Sequence, residues 1–331
     1  MALHRSLEGW SLGVKRTPQV TPSAAGGSAT PLRRSPTGAA VAFGNFDGVH
    51  VGHRMLIDQL RSVAAPEGLE VTVLTFDPHP LALLRPERVP LALDTLAGRK
   101  HWLRLAGVDR VEVLAFDADL RLRSAAWFAD EVIFGRLGAR VVIASDDSRF
   151  GYQGAGNIAL LRERAAAHGA RVLRCPAVSR QGEVVSSSRI RRLIVAGEIR
   201  LANELLARPY ALRGEVVHGD ARGRQIGFPT ANLAIGPQVR PATGVYGARL
   251  EVNGALLDAV CNLGVRPTLD GQEYRVEAHV LDWQGDLYGQ QVSLHLLSRL
   301  RGERRFADLT ALSAQIALDC DLARAQLAAL R

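Results

Sequence analysis

Short apolar runs alternate with helical patterns through the first part of the chain. The predicted strands cover residues 39–43, 71–76, 111–114, 141–143 and 172–173. Helical periodicity is found at residues 96–105, 125–137, 158–168, 188–196 and 201–206. Strands that are apolar throughout and separated by helices are typical of a parallel sheet with both faces covered. The pattern therefore predicts an α/β module whose ligands bind at the carboxyl ends of its strands.

After Arg208-Pro209 the apolar positions alternate with a period of two. Two such runs flank Asn253-Gly254, the dipeptide most typical of a two-residue hairpin. In residues 274–280 the apolar side chains share one face, whereas Glu277 and His279 share the other. This pattern predicts a small antiparallel barrel. A closing helix carries an apolar stripe that we assign to the core, formed by Leu309, Leu312, Ile316, Cys320, Ala323 and Leu327.

The change of pattern divides the chain into three parts. We predict a disordered basic extension at residues 1–38, an α/β domain at 39–206 and a barrel domain at 207–331. Between residues 17 and 38 Pro, Ser, Thr, Gly and Ala predominate without periodicity, which is typical of disorder. Basic residues outnumber the single acidic residue, Glu8, in the first 36 positions: Arg5, Lys15, Arg16, Arg33 and Arg34.

The charge of the chain argues against a nucleic-acid partner. Its 41 Lys and Arg against 33 Asp and Glu give a net charge of +8, thinly spread outside the extension. Aromatic residues are only 5% of the chain, whereas nucleic-acid-binding motifs concentrate basic residues with interleaved aromatics. We therefore expect solvated surface charge, some arginines that face phosphates, and no nucleic acid.

The cysteines and the hydropathy of the chain indicate the cellular compartment in which we expect the protein. Cys175, Cys261 and Cys320 are far apart and form no CxxC pair, which is typical of free thiols in a reducing environment. No apolar run approaches the roughly 18 residues of a transmembrane helix, and the N-terminus lacks the apolar core of a secretory signal. We expect a cytoplasmic protein with no membrane partner, although the Arg- and Ser-rich extension is also compatible with an organellar transit peptide.

The most informative segment is residues 43–53, FGNFDGVHVGH, which follows the first strand and opens a helix. Its glycines permit a tight turn and a close approach to a ligand. The free N–H groups of a helix start attract phosphate, and His50 and His53 can donate to phosphate oxygens. Two other interpretations remain open: half of a metal site, although no neighbouring cluster completes it, and a structural pair of histidines.

This segment resembles the HxGH turn of the nucleotidyltransferase superfamily, in the form found in bifunctional riboflavin kinase/FMN adenylyltransferases. Three further segments resemble that family in order: TFDPHP at 75–80, GVDRV at 107–111 and SSSRIR at 186–191. The resemblance implies a Rossmann-like nucleotidyltransferase domain. It also implies a reaction in which the FMN phosphate attacks the α-phosphorus of ATP and pyrophosphate leaves.

The same resemblance implies roles for individual residues. His50 and His53 would bind and polarise the ATP phosphates, with Arg191 as a further catalytic group. The residues implied in ATP binding are Gly44, Asn45, Asp47, Gly52, Ser187 and Ser188. The residues implied in flavin binding are Asp77, Asp147 and Phe150, with Arg301 in the second module.

One loop departs from the family pattern. In residues 145–157 this chain has Ser145 for a glycine, Ser148 for an aromatic residue, Gly154 for an arginine and Asn157 for an acid. Loss of a stacking ring costs about 1–3 kcal/mol of binding in other proteins. The departures leave an alternative open, an active riboflavin kinase whose first module is inactive, regulatory or specific for another phosphate substrate.

The second module has its own phosphate-loop candidate at residues 219–232, GDARGRQIGFPTAN, which is not a Walker A motif. Thr230 and Asn232 are two apart on an extended segment, so their side chains point the same way and can hold one Mg²⁺. Glu277 can take a proton from a substrate hydroxyl during phosphoryl transfer. On spacing alone, however, Glu277 is more simply a surface glutamate.

A resemblance to riboflavin kinases changes that interpretation. It is carried, in family order, by the segments at 208–210, 217–220, 227–232, 244–246, 262–268, 286–289 and 301–306. It implies a six-stranded Greek-key barrel with a terminal helix. It also implies Mg-ATP binding by Gly223, Gly227, Thr230 and Asn232, and a general base at Glu277.

We therefore predict that the second module phosphorylates riboflavin to FMN and that the first adenylates FMN to FAD. The expected partners are riboflavin, FMN and ATP, with Mg²⁺ as the cofactor. A nucleotidyltransferase for another phosphate would explain the HxGH turn but not the second module. A flavin-responsive regulatory protein, or a nucleic-acid binder that uses the basic extension, are the remaining alternatives.

Overall fold

The computed structural model describes residues 32, 34–219, 223, 226–268 and 271–329. Residues 1–31 and 33, which make up most of the predicted extension, lie outside the described residues, as do 220–222, 224–225, 269–270 and 330–331. The described chain forms two compact units, one that ends at Ser187 and one that begins at Ser188.

The first unit is built on a five-stranded parallel sheet. Its strands are β1 Ala39–Phe43, β2 Glu70–Asp77, β3 Arg110–Ala115, β4 Ala139–Ser145 and β5 Arg171–Cys175. They are arranged in the order β3-β2-β1-β4-β5, and every neighbouring pair is parallel. The chain therefore changes direction across the sheet between β1 and β4. Such a switch point leaves a crevice at the carboxyl ends of the two strands, where ligands bind in folds of this kind.

Helices cover both faces of this sheet, as the apolar strands predicted. They are α1 Val51–Ala64, α2 Leu81–Leu84, α3 Leu96–Leu105, α4 Ala118–Leu122, α5 Ala125–Trp127 and α6 Ile158–Ala167. Two separate apolar clusters fill the space between helices and sheet, one on each face. A small hairpin, β6 Ser179–Arg180 and β7 Glu183–Val184, precedes the end of the unit.

The helix predicted at 125–137 has an unexpected pitch. After α5 the chain continues as a π-helical segment, Phe128–Arg136, and the Leu137 N–H donates to the carbonyl of Val132, five residues back, at 3.0 Å. Apolar spacing cannot distinguish this wider turn from an α-helix. The buried face is nevertheless the expected one, because Phe128, Val132 and Ile133 all lie in the core.

The second unit is built on a closed antiparallel barrel. Its strands are β8 Tyr210–Val217, β9 Ala231–Ile235, β10 Gly244–Val252, β11 Ala255–Thr268, β12 Gly271–Val280 and β13 Gln291–Arg301. The order around the barrel is β10-β11-β12-β9-β8-β13. Because β13 returns to lie beside β10, strands β10 to β13 form a Greek key. Both parts of the predicted fold class are confirmed.

Two helices precede the barrel and one follows it: α7 Ser187–Ala196, α8 Ile199–Leu206 and α9 Leu309–Ala328. The Asn203 side chain ties α8 to the barrel, since its Oδ1 accepts from the Tyr210 N–H at 2.7 Å and its Nδ2 donates to the Leu296 carbonyl at 2.8 Å. The division into compact units falls between Ser187 and Ser188, ahead of the predicted domain boundary between residues 206 and 207.

A buried histidine in the barrel leads us to expect that its stability depends on pH. His295 on β13 is 4% exposed, and its Nε2 donates to Glu251 at 3.0 Å. Burial lowers the pKa of His295 below its usual value of 6.5, with Arg213 and Arg208 acting in the same direction and Glu251 opposing them. In the unfolded chain the His295 imidazole therefore binds a proton near pH 6.5, whereas in the folded barrel it stays neutral at that pH.

We expect the free energy of unfolding to fall as the pH drops below about 6.5, by at most about 1.4 kcal/mol per pH unit. Urea unfolding at pH 5–8, followed by circular dichroism, measures this slope. In the control variant His295→Gln the amide still donates to Glu251 but does not titrate, so the slope should be smaller. An equal slope in both proteins would contradict the assignment to His295.

Candidate active sites

A strained turn joins β1 to α1. Gly48 has a φ of 80°, and two non-glycine residues, Phe46 and Val49, also have positive φ, at 48° and 38°. Such backbone costs about 1–3 kcal/mol for a residue with a side chain and persists only where the surroundings enforce it. Here the enforcement is burial, because the Phe46 and Val49 side chains are both anchored in the core under the turn.

The two predicted histidines meet at the start of α1. His50 is the N-cap, 5% exposed, and its Nδ1 accepts from the His53 N–H at 3.4 Å. The two rings stack with their centroids 3.7 Å apart and an angle of 14° between their planes. Gly52 makes room for this arrangement, since a Cβ there would lie 3.1 Å from Cε1 of His50. Two imidazoles and the positive end of a helix thus meet in one place, which suits a phosphate group.

Asn45 is held from two sides at the carboxyl end of β1. The end of its carboxamide lies 3.2 Å from Nε2 of His79, and its carbonyl accepts from the Thr75 hydroxyl at 3.1 Å. The buried Arg99 supports this contact, since its Nη1 donates to Oγ1 of Thr75 and to the Phe76 carbonyl, both at 3.1 Å. Sequence reasoning gave no role to His79 or Arg99; the only signal for His79 was its place in the TFDPHP segment.

Asp47 is a buried carboxylate, only 3% exposed. It accepts hydrogen bonds from the backbone N–H groups of Leu93, at 3.0 and 3.1 Å, and Asp94, at 3.2 Å. Its own carbonyl accepts from the Ser187 hydroxyl at 2.8 Å. Asp47 therefore joins the turn to the segment before α3 and to the first residue of α7. These contacts describe a supporting residue, and direct placement of ATP by Asp47 stays a prediction.

The residues predicted to bind flavin have different environments. Asp77 is exposed at the end of β2, and Asp147 is exposed in the loop that follows β4. Phe150 is instead 7% exposed and packs edge-to-face on Phe43, with the ring centroids 5.5 Å apart. The two carboxylates are thus exposed at the carboxyl ends of β2 and β4, whereas the Phe150 side chain belongs to the core.

Three of the four departures in the 145–157 loop have side chains that take part in local hydrogen bonds. The Ser148 hydroxyl accepts from the Ser145 N–H at 3.1 Å and lies 3.0 Å from the Ser145 hydroxyl. Asn157, which replaces an acid, caps α6 by accepting from the N–H groups of Ala159 and Leu160, both at 3.0 Å. An aspartate would cap the helix in the same way. These three side chains are therefore hydrogen-bonded within the loop or to the start of the helix that follows it.

The predicted site residues of the SSSRIR segment, Ser187, Ser188 and Arg191, lie on α7. Ser187 is its first residue and donates to the turn, as described above. Ser188 is exposed and Arg191 is half-buried. Their roles in phosphate binding stay predictions.

The barrel brings Glu277 and Asn232 together. They are direct partners on the antiparallel strands β12 and β9. Directly opposed residues of such strands project from the same face, with their Cβ atoms roughly 5 Å apart. Gly219 leaves space for the amide, since a Cβ there would lie 2.1 Å from Nδ2 of Asn232. Residues 45 positions apart in the chain thus become neighbours only through the register of two strands.

The segment before β9 is fastened to the same face. Nδ1 of His279 donates to the Pro229 carbonyl at 2.8 Å, and the His279 ring lies edge-on to Phe228, with the centroids 5.5 Å apart. Gly223 allows the segment to fold back, because a Cβ there would lie 2.3 Å from the Phe228 carbonyl oxygen. His279 therefore holds the residues around Thr230 beside the strand that carries Glu277, a role that its place on the polar face of β12 had not revealed.

A cavity of about 530 Å³ opens next to Thr230. Its walls come from the ends of β8, β9 and β12 and from the loop before β13, lined by Val216, Pro229, Thr230, Ala231, Ala278, Val280, Trp283, Gln284, Gly285, Asp286, Leu287 and Tyr288. The Tyr288 ring stacks on His218, with the centroids 3.9 Å apart. The cavity combines apolar walls and the rings of Trp283 and Tyr288 with polar side chains at Thr230, Gln284 and Asp286, a mixture that ligand pockets generally have.

Arg301, predicted to bind flavin, forms a two-pronged ion pair with the buried Asp319 of α9, at 3.0 Å through Nε and 2.7 Å through Nη2. Gln315 also donates to Asp319, at 3.0 Å. The guanidinium thus fixes α9 against the end of β13. The first half of α9 lines a second cavity of about 500 Å³ together with Ile226.

The resemblance to riboflavin kinases implies that the barrel binds ATP, and we expect His279→Phe to weaken that binding. Phenylalanine retains a ring against Phe228 but cannot donate to Pro229, and one such hydrogen bond contributes about 1 kcal/mol. The KM for ATP in FMN formation should therefore rise about fivefold, which steady-state kinetics measure. FAD formation from FMN is the control and should not change. An unaltered KM would mean that His279 does not position this segment.

Two family models match the chain, one for each part. The riboflavin kinase model matches residues 206–327, and the FAD synthetase model matches residues 32–189.

Relatives of named function align over most of their length. The chain is 37% identical over 283 residues to the bifunctional riboflavin kinase/FMN adenylyltransferase of Escherichia coli K12, covering 85% of this chain and 90% of that protein. It is 38% identical over 295 residues to the protein of the same name from Pseudomonas fluorescens, covering 89% and 94%. The Bacillus subtilis protein of that name is 33% identical over 286 residues, covering 85% and 90%.

A solved structure from Streptococcus pneumoniae, named a macrolide-efflux protein, has the same fold, with a TM-score of 0.82, 32% identity and coverage of 88% of this chain and 95% of that one. In the described part of this chain, no helix is long and apolar enough to cross a membrane. Both family models match in the order of the two units, and the relatives align over nine-tenths of their length. The chain belongs to the bifunctional riboflavin kinase/FMN adenylyltransferase family.

Proposed function

We propose that the barrel phosphorylates riboflavin with Glu277 as the general base and with Thr230 and Asn232 as the Mg-ATP ligands. The observation that carries this proposal is the pairing of Glu277 with Asn232 across β12 and β9. A carboxylate on that face can take the proton of the riboflavin 5′-hydroxyl as the hydroxyl oxygen attacks the γ-phosphorus of ATP. The bond between the γ-phosphorus and the β,γ-bridging oxygen breaks, and ADP leaves. The cavity beside Thr230 is lined by Ala231 and Ala278, the pair that adjoins Asn232 and Glu277 on the two strands.

The residues present suit a magnesium ion. Mg²⁺ prefers oxygen ligands from one or two protein groups, with phosphates and water completing its octahedron. The Thr230 hydroxyl and the Asn232 carboxamide are such groups, and glycines at 219 and 223 keep the space around them free of a Cβ. When bound, the ion would neutralise charge on the ATP phosphates. The protein itself holds the segment before Thr230 through the hydrogen bond between His279 and the Pro229 carbonyl, and the register of β12 and β9 sets Glu277 opposite Asn232.

For the first unit we propose that His50, His53 and the N–H groups at the start of α1 bind the phosphates of ATP. Adenylation of FMN forms a bond between the FMN phosphate oxygen and the α-phosphorus and breaks the α–β bridge, releasing pyrophosphate. Donors fixed in advance stabilise the charge that develops in such a transfer. The stacking of the two imidazoles and the capping contact between them support this role, because both hold the rings in place before ATP arrives.

The proposal also covers the cellular compartment of the protein and its small-molecule partners. We place the protein in the cytoplasm, which is supported by three cysteines that remain free, buried thiols. We also propose riboflavin, FMN and ATP as its small-molecule partners. This is supported by the paired histidines at the start of α1, by the pairing of Glu277 with Asn232 and by the names of the relatives.

The test is to mix the purified protein with riboflavin and excess Mg-ATP and to separate the flavins over time. FMN that appears first and then converts to FAD is the expected result. FMN that accumulates without FAD would refute the assignment of the first unit and identify the 145–157 loop as the segment to restore. No FMN at all would refute the assignment of the barrel.

A further inference from the structure

The surroundings of His79 determine which of its two ring nitrogens carries the proton. It lies in the loop after β2, and its Nδ1 is 3.2 Å from the backbone nitrogen of Leu81. A backbone N–H can only donate, so Nδ1 of His79 must be the acceptor and carries no proton. The proton of the neutral ring therefore lies on Nε2, on the side that faces Asn45.

That proton decides the orientation of the Asn45 carboxamide. Nδ2 of Asn45 as placed is 3.2 Å from Nε2 of His79, but two N–H donors cannot share a hydrogen bond. A half-turn of the amide exchanges its nitrogen and oxygen with little movement of other atoms. We propose that Oδ1 of Asn45 accepts from Nε2–H of His79, and that His79 is a positioning residue which turns the Asn45 NH₂ group away from itself as a phosphate donor.

The backbone of Asn45 is fixed independently of its side chain. Its carbonyl accepts from the Thr75 hydroxyl, which in turn accepts from the buried Arg99 guanidinium. With the backbone immobile, rotation of the amide is the remaining freedom, and the His79 hydrogen bond removes it. The NH₂ group then offers two donors at the carboxyl end of β1, at the switch point of the sheet where ligands bind.

This inference rests on the proposed adenylyltransferase activity, and its test is a double-mutant cycle between Asn45 and His79. His79→Leu removes the donor, whereas His79→Gln can retain an N–H near the place of Nε2. Each is combined with Asn45→Ala. The kinetics of FAD formation from FMN give kcat and the KM values for ATP and FMN, and melting temperatures report stability. FMN formation from riboflavin, a reaction of the other unit, serves as the internal control.

We expect His79→Leu to lower kcat/KM for ATP about 10- to 100-fold, as loss of alignment typically does. This fall should come from a higher KM for ATP, with the KM for FMN unchanged. His79→Gln should recover most of the lost kcat/KM. In the Asn45→Ala background, His79→Leu should have no further effect, because the group that it positions is gone.

Three results would overturn the inference while leaving the proposed function intact. They are an additive loss in the double variant, a lowered melting temperature with unchanged KM for ATP, or an Asn45→Ala variant as active as the parent. A parent enzyme that forms FMN but no FAD would refute the proposed function of the first unit, and the inference with it.

Discussion

Replacing Glu277 with alanine is expected to abolish FMN formation and to leave FAD formation from supplied FMN intact. A positioned general base contributes about 10²- to 10⁴-fold to the rate, and the neighbouring Asn232 and Thr230 cannot accept the riboflavin proton in its place. Initial rates of FMN formation at saturating Mg-ATP measure the loss. The rate of FAD formation from FMN in the same preparation shows whether the first unit is unharmed.

Glu277→Gln is the matched variant for this prediction. It retains the shape and hydrogen-bonding atoms of the side chain but cannot take a proton, so it should be nearly as inactive as Glu277→Ala and equally stable. A glutamine variant that retained most of the parental rate would show that Glu277 serves binding rather than proton transfer. Unchanged FMN formation in the alanine variant would remove Glu277 from the site altogether.

Replacing His53 with alanine is expected to have the opposite outcome. FAD formation should fall about 10²- to 10³-fold, the usual cost of removing one prepositioned donor from a transition state, while riboflavin phosphorylation continues. Because the His53 ring stacks on His50, its removal also frees the second imidazole, so the loss should lie at the upper end of this range. Time courses of FAD formation from FMN and Mg-ATP measure it.

His168→Ala is a suitable control for the His53 variant. This histidine lies at the end of α6, where its ring stacks on Phe134 and its Nε2 is 3.0 Å from Asp130. Its loss should leave both reactions unchanged. If His53→Ala removed both activities while the fold survived, or if Glu277→Ala did so, the assignment of one reaction to each unit would be wrong.

Much of the architecture was predictable because it depends on the local periodicity of apolar positions in the sequence. Uniformly apolar strands such as residues 141–143 indicated a sheet covered on both faces, and the alternation at 274–280 indicated a barrel strand with Glu277 on its polar side. Both are confirmed. The pitch of Phe128–Arg136 was not predictable, because the apolar positions that bury one side of an α-helix also bury one side of a π-helix.

The candidate sites were predictable only in part. His50 and His53 lie three residues apart at a helix start, so their meeting followed from the sequence. The burial of Asp47 did not follow from the sequence, because its partners, the N–H groups of Leu93 and Asp94, come from a loop far along the chain. The roles of His79 and His279 depend on which backbone groups tertiary structure brings to their rings. Residue type alone carries no such information.

The pairing of Asn232 with Glu277 limits how this gene can change. Side chains on a strand alternate between faces, so inserting or deleting one codon within β12 ahead of Glu277 would turn the carboxylate to the opposite side of the sheet. The contact between β9 and β12 is short, with Ala231–Ala278 as the adjoining pair, and has little capacity to absorb a shift by forming a bulge. Length variation among natural variants should therefore avoid β12 and accumulate in the hairpin loops, such as the one around Asn253-Gly254, where it leaves this register untouched.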